Sequence, residues 1–176
     1  VGDWYLASTI LCRRNEVWGH ERVILEPGHW VGRGSYRAID QTIGVQFEAT
    51  IEVQENEQGL TAEIRAETNG KTAFDGIFLI VPDEYGTYSL TLRYDSFNLE
   101  GTAKLESVPH LAILWSDEAD TYVTFSVFTL PDSHGVRGFV RHKGDLSTWE
   151  LALQPRHQVV TGENIVSFDR RRRFNR

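Results

Sequence analysis

The sequence predicts an all-β protein: one antiparallel up-and-down β-barrel of about eight to ten strands, preceded by an N-terminal lid or plug segment. Three observations carry that expectation. From Trp30 onward, short segments alternate apolar and polar residues between glycine, proline and Asp/Asn clusters. The links are short, so successive strands must run antiparallel, because a parallel crossover needs a dozen residues or more. No segment after Trp30 sustains a 3.6-residue apolar period, and a long meander without helices removes its exposed edges by closing on itself. An open-edged sandwich is the second architecture that fits.

The elements follow in order. Residues 1–27 form the expected lid or plug, with Trp4, Tyr5, Leu6, Ile10 and Leu11 as apolar content. Residues 28–160 form the barrel. In Gln46–Val53, Phe47, Ala49, Ile51 and Val53 share one face and the acids face water. Leu60–Glu67 repeats the pattern after a polar link ending in Gly59. Asn69-Gly70 is a strong turn signal because both residues tolerate positive φ. Strands are expected over Thr72–Val81, Tyr85–Tyr94, Leu99–Ser107, His110–Ser116, Tyr122–Leu130, Val136–His142 and Thr148–Leu153. Residues 161–176 form a C-terminal extension with a basic tail.

Composition narrows the function classes. The 176 residues are 40% hydrophobic, 24% charged and 11% aromatic, ordinary values for one folded domain and too apolar for a disordered chain. No apolar stretch is long enough for a membrane-spanning helix. The one cysteine, Cys12, cannot form an internal disulfide, which suits a cytoplasmic protein. The formal net charge is −7, and the last eight residues hold five arginines and one aspartate. Without them the body has 13 basic and 24 acidic residues, a net of −11. A body that acidic repels a phosphate backbone, so a nucleic-acid partner is not expected.

Two sequence motifs bring a family into view. Gly2-Asp3-Trp4-Tyr5 reads Gly-x-Trp-Tyr, and Gly28-His29-Trp30 repeats the Gly-x-Trp before Gly32-Arg33-Gly34-Ser35-Tyr36. The short motif resembles the opening of lipocalins and fatty-acid-binding proteins, and the longer one that of nitrobindin-type, lipocalin-like bacterial barrels. The resemblance implies a calycin-type barrel with an internal ligand cavity. It also implies that Trp30 closes the barrel floor, with Arg141 or Arg156 stacked on it. The segment around His157 does not reproduce the haem-binding segment of nitrobindins, and no secreted-lipocalin disulfide can form, so neither haem nor a named ligand carries over.

Conventional chemistry finds no support in the motifs. His20, His29, His110, His134, His142 and His157 show no metal-ligand spacing, so no metal or other cofactor is expected. Cys12 has no basic flank to activate it and reads as a small buried residue. There is no Gly-x-Ser-x-Gly and no phosphate-binding glycine loop. His134, in a Pro-Asp-Ser-His-Gly turn, is expected in solvent. What remains is a cavity walled by rings, with Trp4, Tyr5, Tyr88, Tyr94, Trp115, Tyr122 and Phe128 as expected ligand contacts and His110 as a cavity acid or base.

Two functions fit. One is a module that binds a hydrophobic or amphipathic small molecule in the lumen. The other is a cofactor-independent cyclase or isomerase of natural-product biosynthesis that folds an apolar substrate for a reaction such as an intramolecular [4+2] cycloaddition, where orientation lowers the barrier. An outer apolar face such as Val123, Phe125 and Val127 could pair in a homodimer.

Overall fold

A computed structural model of the chain describes residues 25–156 apart from 84–85, 96, 106–109 and 132. Trp4, Tyr5, Cys12 and the expected lid up to residue 24 lie outside the described residues, as do His157 and the basic tail. Ten strands form one meander: β1 Gly28–Ala38, β2 Val45–Asn56, β3 Gly59–Thr68, β4 Lys71–Pro82, β5 Tyr88–Tyr94, β6 Phe97–Lys104, β7 His110–Ser116, β8 Thr121–Leu130, β9 Ser133–His142 and β10 Asp145–Pro155. Each pairs antiparallel with its sequence neighbour, and β1 pairs with β10 from Trp30↔Pro155 to Ala38↔Ser147. The barrel is therefore closed, and the open sandwich does not form.

Turn chemistry sets the hairpins. Asn69 and Gly70 adopt φ of 53° and 73°, and Lys143 and Gly144 adopt 51° and 89°. Positive φ at both central residues gives the turn twist that matches the flanking strands. At the other end, the Asn56 side chain accepts from the backbone N–H groups of Gln58 and Gly59, closing the β2–β3 hairpin.

Period two then sorts the side chains. The register rung Trp30↔Ile51↔Ile64↔Gly76↔Tyr94 carries one face across five strands. Trp30 and Ile51 are buried, so this face is the inside. Gly138 stands on the inner face of β9, where a Cβ would lie 2.3 Å from the Thr124 carbonyl oxygen and 3.0 Å from the Trp149 indole. Only glycine allows β8 and β9 to coil that tightly while Trp149 covers the bend.

Burial is uneven along the axis. At one end Trp30, Val53, Leu60, Ile80, Leu105 and Leu153 pack into a buried core. The chain enters and leaves the barrel at this packed end, where Leu25 joins the core and Trp30 Nε1 donates to the Glu26 carbonyl at 2.9 Å. Trp30 therefore closes the floor, but its stacking partner is not an arginine. His134 lies against it, ring centroids 5.3 Å apart and tilted by 50°. Arg141 and Arg156 are both exposed. His134 is inside because β9 begins at Ser133, within the expected turn, and its register with Leu153 points the imidazole inward.

The outer wall of β1 to β4 is charged. Arg33–Glu48 at 3.2 Å, Arg65–Glu67 at 3.2 Å and His29–Glu52 at 3.8 Å lie on it, all solvent-exposed. Such pairs add little stability. Among the described residues no helix is long and apolar enough to cross a membrane.

Candidate functional site

The half of the barrel away from the packed end is the candidate site. Its inner wall carries Phe47, Phe74, Phe78, Leu92, Phe125 and Trp149, all only partly buried. These side chains point inward from a closed wall, and Phe78, Leu92, Phe125 and Trp149 pack against the buried core. A ten-stranded barrel is wider than the eight-stranded size that side chains alone fill. Partly buried apolar side chains of this kind commonly line ligand cavities.

Rings organise this half. Phe78 on β4 and Phe125 on β8 meet across the lumen with centroids 6.1 Å apart, edge to face. Trp149 on β10 continues the chain at 6.0 Å from Phe125. Phe74 and Tyr94 stack at 4.7 Å, within 8° of parallel. At the mouth, Tyr36 and the β1–β2 loop residues Ile39 and Ile43 are exposed, an apolar lip at the open end.

The polar side chains inside are sparse. His110 opens β7 with its side chain inward, opposite Val127. Its Nδ1 is buried and has no hydrogen-bond partner among the described residues. Burial pushes the nearby His134 imidazole below its ordinary value; Glu26 pulls the other way, and His110 adds to the lowering. Both histidines lie towards the packed end. No group of three or more metal-ligating side chains occurs among the described residues.

The residues expected at the site divide by parity. Tyr88 and Tyr94 are on the inner wall, Tyr88 buried in the packed end and Tyr94 in the open half. Trp115 and Tyr122 pair with each other on the outer wall and are exposed. Phe128 also faces outward, covering Gly135, with the Arg137 guanidinium 5.5 Å from its ring centre. None of these three lines the lumen. Conversely Val123, Phe125 and Val127, expected to pair two copies, point inward. Phe47, Phe74, Phe78 and Trp149 are absent from the ligand contacts expected from the sequence, although counting the register from Trp30 places each on the inner wall.

Two grooves on the outer wall are the alternative sites. The larger, about 690 Å³, runs over β1, β8, β9 and β10 past Ser35, Arg37, Thr124, Arg137, Phe139 and Glu150. The smaller, about 380 Å³, includes His29, Glu52, Glu63, Arg65 and Asp75. Both are open, and their walls mix polar and apolar groups. In the larger one Arg137 is already held by Glu150 at 3.5 Å and by the Phe128 ring.

No family model and no curated protein sequence matches this chain. Among solved structures it is similar to a de novo designed fluorescence-activating β-barrel, at 16% identity and a TM-score of 0.38, over 73% of this chain and 94% of that one.

Proposed function

We propose that the protein binds a hydrophobic or amphipathic small molecule in the open half of the lumen. The observation that carries this reading is the partly exposed inner wall of Phe78, Phe125 and Trp149 inside a closed barrel. Apolar surface held in contact with water costs roughly 25 cal/mol per Å². A ligand that covers it recovers that energy, and the isoleucines at the mouth give it an apolar path inward.

The test uses the fluorophore 1-anilinonaphthalene-8-sulfonate (ANS), which brightens in apolar sites. One ANS is expected per barrel. Ala66→Trp, which adds a ring to the inner wall, is expected to abolish binding, and Phe139→Asp on the outer wall to leave it unchanged. The reverse pattern would place the ligand outside the barrel and sink the proposal.

A cofactor-independent cyclase or isomerase is the second reading, and His110 favours it. A buried, unpartnered imidazole nitrogen facing inward is suited to polarise a substrate carbonyl once a ligand reaches it. Adding 2-dodecanone, an apolar ketone, is expected to shift the ¹⁵N resonance of His110 Nδ1. An unmoved resonance under saturating ketone removes the catalytic reading and leaves the binding one intact.

A further inference from the structure

The outer wall of β6 to β9 carries a rung that is complementary to itself. Glu100, Trp115, Tyr122 and Arg141 are register partners in sequence, Glu100↔Trp115, Trp115↔Tyr122 and Tyr122↔Arg141. Across four strands the wall therefore reads acid, ring, ring, base. Around it the apolar surface continues: Leu111, Trp115, Tyr122 and Phe139 are 55%, 44%, 44% and 51% exposed. Glu100 and Arg141 have no ion-pair partner among the described residues. On other outer positions Arg33 pairs with Glu48 and Arg137 with Glu150 within the chain.

We infer that this face is the interface of a homodimer. Let two copies pack wall to wall about a two-fold axis parallel to the strands, running between β7 and β8. Trp115 then meets Tyr122 of the second copy, and Glu100 meets Arg141 of the second copy, each contact occurring twice. Such an isologous contact needs a patch that is its own complement, and the rung is one. The same axis turns Lys104 towards Arg137, whose charge Glu150 already offsets at 3.5 Å. A partner of single charge sign would leave either Glu100 or Arg141 facing a like charge, so a second copy is the occupant the rung fits.

The size of the patch sets the class of interface. Four strands spaced by about 4.8 Å and three rungs spaced by about 7 Å cover roughly 400 Å² of wall. That is about half of the ~800 Å² per partner in a standard stable interface, the size class of weak, transient associations.

Sedimentation velocity of the full chain between about 1 and 300 μM tests the proposal. The expected result is a monomer–dimer equilibrium that Trp115→Glu weakens at least about tenfold, with the melting temperature unchanged because the side chain is on the surface. Glu100→Arg and Arg141→Glu are each expected to weaken the dimer about tenfold, since each sets like charges together at both ends of the rung. The double variant E100R/R141E restores the pairing with its sign reversed and is expected to dimerise like the native chain. A chain that stays monomeric throughout, a dimer indifferent to Trp115→Glu, or a double swap no better than the single ones would each overturn it.

Discussion

Two leucines on the inner wall provide the sharpest test of a half-filled lumen. Leu153 on β10 is 1% exposed in the packed end, with its Cδ2 2.8 Å from where a Cβ on Gly32 would lie. Leu92 on β5 has the same chemistry and also faces inward, opposite Phe78, but is only partly buried. Truncating Leu153 to alanine loses its transfer energy and leaves a closed void, a combination that costs about 3–5 kcal/mol in tight cores. On the proposed reading the open half of the lumen holds solvent, so truncating Leu92 opens space into it and creates no separate void. Its cost is the transfer of a partly buried side chain, about 1–1.5 kcal/mol. For a chain of this size those losses correspond to roughly 6–20 °C against roughly 2–6 °C in melting temperature. Urea unfolding followed by tryptophan fluorescence measures both, and equal slopes for the two variants keep the comparison valid. Equal losses at the two sites would refute the reasoning, because they would mean that the open half is as tightly filled as the floor.

Other perturbations follow from the same geometry. The lowered His134 imidazole makes the unfolded chain bind protons that the folded one resists, so stability is complete above the ordinary histidine value of 6.5 and falls as the pH drops below it. His134→Gln is expected to flatten that acid slope in denaturation curves between pH 7 and about 5. Gly138→Val places a Cβ 2.3 Å from the Thr124 carbonyl oxygen, a backbone atom that cannot yield easily; a loss above about 3 kcal/mol or failure to fold is expected. Paired aspartates at Ile39 and Ile43 are expected to slow ANS association in stopped flow without moving the melting temperature, because both side chains are exposed at the mouth. Deleting residues 1–20 is expected to keep the barrel, since the ladders among the described residues lie within Gly28–Pro155, and to weaken ANS binding if the segment serves as a lid; unchanged binding removes the lid.

The strand count and topology are legible in the sequence because alternation and turn chemistry are local properties. β7 has the bounds that its alternation predicts, His110–Ser116, and β4 extends the expected segment by one residue at each end. The start of β9 is less legible. Pro131 to Gly135 has turn composition, yet pairing from Ser133 begins as soon as the chain reverses, and that shift moves His134 from solvent to the barrel floor. The floor tryptophan, Trp30, is buried at the start of β1. Its contact with His134 rather than Arg141 or Arg156 is not legible in the sequence, because it depends on register across the β10–β1 closure.

Which face is inside is a separate matter, and there β8 misleads. Period two fixes that Val123, Phe125 and Val127 share one face and Tyr122, Thr124, Ser126 and Phe128 the other, but each set holds large apolar side chains, so hydrophobicity alone gives no sign. Closure decides it: Ala112 and Leu114 on β7 are buried, and their partners Phe125 and Val123 must face the same way. Trp115 and Tyr122 are thereby forced onto the outer wall. Inside, they would have been two more rings in a lumen that Phe78 and Phe125 already bridge. Outside, they stand between an acid and a base at the centre of a patch that alternation cannot distinguish from a core. An exposed pair of rings flanked by opposite charges is what the proposed two-fold interface requires, and the same parity that removes Trp115 and Tyr122 from the lumen supplies it.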